Sequence, residues 1–159
     1  MQNSYPILLV EDDEGDVVVT TRAFRDLHIN NELVHVNNGF EALDYLKKDG
    51  NHKPCLILLD LNTPKMHGTE FLEIIKKDEE LKDIPVIALT TSQNSQDIAN
   101  CFRLGTAGYI VKPLDYKKFL NSVKIIDLYW MLSRKPGDNT TEESISNIEI
   151  GTTKKDHCL

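Results

Sequence analysis

The stretch Leu56-Ile57-Leu58-Leu59-Asp60-Leu61-Asn62-Thr63-Pro64 sets four unbroken apolar residues directly before an aspartate, with a turn-forming segment behind it. So short an apolar run, closed by polar residues, predicts a strand covered on both faces, as in a parallel sheet with helices on either side. The same shape recurs. Residues 7–10, 86–89 and 109–111 are also near-continuous in apolar character, whereas 33–36 alternates and reads as an edge strand. Helical stretches at 16–27, 40–48, 69–77, 96–104 and 115–132 follow the strands. Glycine and proline punctuate the joints at Gly39, Gly50, Pro54, Gly68, Pro85, Gly105 and Gly108. Five βα units joined by right-handed crossovers predict an α/β fold with a doubly wound, five-stranded parallel sheet in order 2-1-3-4-5. Its ligand crevice belongs at the carboxyl ends of strands 1 and 3.

Composition narrows the class. The chain has 159 residues, 40% of them hydrophobic, and a net charge of -7. That length suits one domain, and the acidic balance argues against a nucleic-acid surface, which needs a basic stripe. A protein partner is expected instead. No apolar run approaches the roughly 18 residues of a membrane span, and the N-terminus lacks the order of a signal peptide, so the expected location is the cytoplasm. Cys55, Cys101 and Cys158 are scattered and predict neither disulfide nor zinc site, and the five histidines show no metal-ligand spacing. His67 alone falls near the predicted crevice. Residues 1–134 read as one domain, and 135–159 as a polar, loosely ordered tail with Ile145, Ile148 and Ile150 as its apolar anchors.

The chemistry collects after the strands: Glu11-Asp12-Asp13 after the first, Asp60 after the third, Thr90-Thr91-Ser92 after the fourth, Lys112-Pro113 after the fifth. Helix capping explains some such residues, aspartate, serine and threonine among them. Glutamate and lysine are not caps, and Asp60 stands too far ahead of the next helix to be one. Glu11, Asp12 and Asp60 at one switch point repel unless a proton or a cation joins them. An all-oxygen site of this kind suits Mg2+. Asp60 is then a candidate carboxylate nucleophile toward phosphorus, with Lys112 and the Thr90 hydroxyl available to phosphoryl oxygens. No glycine-rich phosphate loop is present, so a nucleotide site is not expected.

Over residues 7–132 these features resemble the receiver domains of two-component response regulators, with their flavodoxin-like fold. The likeness rests on Glu11-Asp12, on the run from Leu59 to Pro64 with Gly68 beyond, on Thr90, and on Tyr109 ahead of Lys112-Pro113. Thr90 and Lys112 stand 30 and 52 residues past Asp60, the family's usual intervals. The resemblance implies Asp60 as phosphoacceptor from a histidine kinase. It also implies Mg2+ bound by Asp12, Asp60 and the Asn62 carbonyl, with Glu11 acting through water. It makes Thr90 and Tyr109 the switch that alters the face of helix 4, strand 5 and helix 5, and it implies a cis Lys112–Pro113 bond. Asn62 and Ser92 stand where the family tunes hydrolysis of the phosphate. Such a protein is not an enzyme beyond its own phosphorylation and dephosphorylation. Residues 65–81, the run 89–92, Lys112-Pro113-Leu114-Asp115 and Asp127-Leu128-Tyr129-Trp130 look more narrowly like stand-alone regulators paired with phytochrome kinases.

The last helix carries two apolar stripes. Phe119, Val123, Ile126 and Trp130 should pack on the sheet. Ile125, Leu128, Tyr129 and Leu132 form a second stripe with no later domain to cover it, which predicts a homodimer through Ile125, Leu128, Tyr129, Trp130 and Leu132; a fold-back of the tail is the alternative. Two rival functions remain. Asp60 to Pro64 resembles the D-x-D-x-T loop of haloacid-dehalogenase-type phosphatases, but Asn62 cannot be their general acid, and their nucleophile usually follows the first strand. A receiver-like module that is never phosphorylated is the other, against which stand the polar groups at Glu11, Asp12, Asp60, Thr90 and Lys112.

Overall fold

In the computed structural model, which describes residues 5–132 and side chains as far as Trp130, five strands form one parallel sheet in the order β2-β1-β3-β4-β5. The strands are β1 (Ile7–Val10), β2 (Leu33–Val36), β3 (Leu56–Leu59), β4 (Val86–Thr90) and β5 (Gly108–Val111). The helices are α1 (Glu14–Asp26), α2 (Gly39–Lys47), α3 (Gly68–Lys77), α4 (Ser95–Arg103) and α5 (Tyr116–Leu132). The expected tail, 135–159, and its isoleucines lie outside the described residues.

Both faces of the central strands are buried, which is why their sequences are apolar without alternation. Leu8, Val10, Ile57, Leu59, Val86 and Ala88 face a core shared with α2, α3 and α4. Ile7, Leu9, Leu56, Leu58, Ile87 and Leu89 face a second core shared with α1 and α5. Each such valine, leucine or isoleucine contributes about 1.5–3 kcal/mol by leaving water. The edge strands β2 and β5 are mostly half-buried. In β2 the exposed His35 breaks the apolar run, as an edge permits.

Helix starts differ by one or two residues from the apolar pattern, and capping explains it. Asp13 accepts the Asp16 amide at 2.9 Å, so α1 begins at Glu14. Gly39 and Gly68, read as joints, are instead the first residues of their helices. At Gly68 the reason is contact: an added Cβ would lie 2.7 Å from Leu61 Cα, in the segment that follows Asp60. Loop and helix are thereby clamped together, with the Gly68 amide donating to the Leu61 carbonyl at 2.8 Å.

On α5, Phe119, Val123, Ile126 and Trp130 are buried against the sheet, while Ile125, Leu128 and Tyr129 are exposed. Trp130 is therefore a core residue and not part of the expected dimer stripe. It follows Ile126 by about one helical turn and shares its inward face. The Leu132 side chain lies outside the described residues. No helix among the described residues is long and apolar enough to cross a membrane.

Candidate functional site

Strand register brings the acids together. Val10 pairs with Leu59 across β1 and β3, so Glu11-Asp12 and Asp60 leave the sheet at the same level. Backbone hydrogen bonds continue the ladder past the strands: the Asp60 amide donates to the Val10 carbonyl at 3.0 Å and the Glu11 amide to the Val36 carbonyl at 3.0 Å. The Lys112 amide likewise donates to Thr90 at 2.8 Å, which aims the lysine back over β4 toward β3.

Asp60 is buried, with each carboxylate oxygen assigned differently. Oδ1 accepts the Thr90 hydroxyl at 2.9 Å and the Asn62 amide at 3.0 Å. Oδ2 accepts Lys112 Nζ at 3.0 Å. Burial raises the pKa of this carboxyl, but the Asn62 amide, Lys112 and Thr90 together outweigh burial and hold it below its ordinary value. The same ammonium binds Glu11 Oε2, and Asp16 Oδ2 at 2.9 Å. Three carboxylates thus take up the three donors of one lysine. Burial lowers the Lys112 pKa, yet its bonds to Glu11 and Asp16 and the charge of Asp60 raise it on balance. Glu11 goes the other way: burial, reinforced by Asp60, pushes it up to about 7 despite Lys112.

Glu11, Asp12 and Asp60 each offer an oxygen within 4.8 Å of the others, and Asp12 is the exposed member. Two buried carboxylates, one with its pKa raised mainly by burial, beside an exposed third make an oxygen-only donor set that fits a hard divalent cation. Asn62 belongs to this neighbourhood through its amide. Tyr109 is half-buried on β5 and donates its hydroxyl to the Ser92 carbonyl at 2.8 Å. Glu11, Asp12, Asp60, Asn62, Thr90 and Lys112 thus stand together at the strand ends, with Tyr109 joined to them through Ser92. The Lys112–Pro113 bond is the exception to expectation: no peptide bond among the described residues is cis, so it is trans, the ordinary preference of X-Pro bonds.

Residues 7–124 match the response regulator receiver domain family. The chain belongs to that family. This receiver is similar to the probable methanogenesis regulatory protein FilR2 of Methanothrix harundinacea, at 36% identity over 140 residues, 86% of this chain and 90% of that protein. It is also 36% identical to the response regulator Rcp1 of Synechocystis, over 79% of this chain and 88% of that one. The Mn(2+)-bound crystal structure of Rcp1 superposes with a TM-score of 0.75 at 35% identity, covering 82% of this receiver and 97% of that chain. The phosphorylated cyanobacterial phytochrome response regulator RcpA superposes with a TM-score of 0.77 at 37% identity, covering 84% and 99%.

Two contacts of the site in this receiver are not legible in the sequence. Asp16 reaches Lys112 from the first turn of α1; its only signal was its place one turn after Asp12. His67 caps α3, its Nδ1 accepting the Thr69 amide at 3.2 Å, and its Nε2 stands 4.0 Å from Asp97 Oδ1. Its place near the crevice is legible in the sequence, but its link to Asp97 is not.

Proposed function

We propose that this receiver accepts a phosphoryl group on Asp60 from a phosphohistidine of a histidine kinase. The observation that carries this reading is the division of labour at Asp60. Oδ1 is fixed by Thr90 and the Asn62 amide, so the carboxylate is oriented, while Oδ2 faces only the movable Lys112 side chain. When Lys112 shifts from Oδ2 toward an incoming phosphoryl oxygen, Glu11 and Asp16 still hold it, and Oδ2 is freed to attack phosphorus in line with the leaving imidazole. Thr90 can transfer its hydroxyl donor from Oδ1 to a second phosphoryl oxygen. The product is an acyl phosphate on Asp60.

Asp12, Asp60 and the Asn62 carbonyl would hold Mg2+, with Glu11 beside it, and the ion would supply charge neutralisation between the carboxylates and the phosphoryl group. Incubation with acetyl phosphate and Mg2+ should add a single phosphoryl increment to the intact mass, and chelation should prevent it. Steady turnover of small phosphate esters would favour the phosphatase reading instead, for which Asn62 provides no general acid. Because binding of the ion needs ionised Glu11, Mg2+ affinity should strengthen as pH rises through about 7. For the metal-free fold the sign is opposite. Glu11 has a folded pKa above its ordinary 4.5, so its protonated form favours folding, and stability falls as pH rises from 4.5 to about 7. The stability linked to Asp60, whose pKa is lowered, is lost only in more acidic solution. Calorimetric Mg2+ titration at several pH values checks the first trend, and affinity that does not change with pH would contradict the assignment of Glu11.

Phosphorylation is read as moving Thr90 and Tyr109 and so altering the face of α4, β5 and α5. The similarity to RcpA supports a phytochrome-type kinase as the donor, the residues 1–134 acting as one receiver unit. We read the exposed Ile125, Leu128 and Tyr129 as a homodimer surface. Replacing Ile125 and Leu128 together by aspartate should shift sedimentation equilibrium toward monomer, whereas Trp130→Ala should lower stability through its cavity. An unchanged mass distribution in the double variant would reject the dimer.

A further inference from the structure

Ser92 is tied through all three of its polar groups. Its amide donates to Thr90 Oγ1 at 3.3 Å, its carbonyl accepts Tyr109, and its hydroxyl donates to Asp97 Oδ2 at 2.8 Å. A hydroxyl has a single proton to donate, and Ser92 commits its own to the carboxylate of Asp97 in the first turn of α4. We propose that Asp97 is a positioning residue of the Asp60 site. Acting through Ser92, it sets where the Thr90 hydroxyl rests against Asp60 and carries any displacement of that hydroxyl to α4.

The argument follows the protons. Thr90 Oγ1 spends its donor on Asp60 and uses a lone pair for the Ser92 amide. A phosphoryl oxygen that takes over the donor draws Oγ1 with it, and Ser92, two residues along the same strand end, must follow. Its hydroxyl is bound to a charged acceptor, the stronger kind of hydrogen bond, so Asp97 and the helix behind it are pulled too. The other Asp97 oxygen faces His67 Nε2 at 4.0 Å, which sets it between the loop after Asp60 and the loop after Thr90. A plain capping role is weaker, because Asn94 already caps α4, accepting the Gln96 amide at 2.8 Å and the Asp97 amide at 3.3 Å.

The inference rests on phosphoryl acceptance at Asp60, and the experiment separates the two. The full chain is loaded with Mg2+ and beryllofluoride, and amide exchange across α4 is compared with and without the complex. Uptake from acetyl phosphate is followed in parallel by intact mass. In the unaltered chain the complex should change α4 exchange about tenfold. Asp97→Ala should reduce that change to less than about twofold and slow phosphoryl uptake, with the modification still mapping to Asp60. Asp97→Asn, which keeps an oxygen acceptor for Ser92, should restore most of the response. Ser92→Ala should match Asp97→Ala, and combining the two should add nothing further. A full α4 response in Asp97→Ala or in Ser92→Ala, with Asp60 modified, overturns the inference alone. Failure of the unaltered chain to be modified at Asp60 overturns the reading beneath it.

Discussion

Asp60→Asn is expected to abolish phosphoryl uptake, lowering the rate from acetyl phosphate by at least about a thousandfold, since the residue supplies the bond-forming oxygen. The fold should survive. An asparagine oxygen can replace Oδ1 as acceptor for Thr90 and the Asn62 amide, and Lys112 keeps Glu11 and Asp16. Its new amide group would face the Lys112 ammonium, donor against donor, so a cost of about 1 kcal/mol is expected in urea denaturation. Intact mass and peptide mapping provide the check. A phosphoryl increment that persists in the variant, or maps to Asp12 in the unaltered chain, would remove Asp60 from its role.

Lys112→Ala should produce a split result. The ammonium is shared by Glu11, Asp60 and Asp16, and its side chain is only 9% exposed. Without it, two buried carboxylates face one another. Were both to stay ionised, the loss would approach the 3–5 kcal/mol of a broken buried pair, roughly. Glu11, already pushed to about 7, will instead take a proton, limiting the loss near neutral pH to about 1–3 kcal/mol. In solution basic enough to ionise Glu11, Mg2+ should bind more tightly, because its cationic competitor is gone. Phosphoryl transfer should nevertheless slow by about 10²–10³, the usual result of deleting one group that stabilises developing charge. Tighter metal with slower transfer is the signature. Normal transfer in this variant would mean that Lys112 serves only to neutralise the resting acids.

Which parts of this molecule can be read from its residues follows from the range of the interactions. The apolar runs at Ile7, Leu56 and Val86 are local, and their continuity reports burial on both faces, so strand order and crevice follow. Helix starts depend on side chains outside the periodic pattern, such as Asp13 reaching the Asp16 amide, and were displaced by a residue or two. Asp16 was invisible as a partner of Lys112. Their contact joins residues 96 apart in sequence and exists only because α1 and β5 flank the same crevice. Trp130 was assigned both to the sheet-facing stripe and to the dimer surface. Burial decides for the sheet, since Ile126 and Trp130 share one face while Ile125, Leu128 and Tyr129 turn away.

The close approach of Gly68 to Leu61 also bears on engineering this protein. The segment between them is pinned at both ends, by glycine against backbone and by the hydrogen bond from the Gly68 amide to the Leu61 carbonyl, so it behaves as a buckle of set length. Asn62 and Pro64 point outward and can be diversified to tune the neighbourhood of Asp60. Lys65, held at φ 68°, accepts glycine or asparagine more readily than a branched residue. Insertion of even one residue there would unfasten the buckle and disturb the Asn62 amide that holds Asp60 Oδ1.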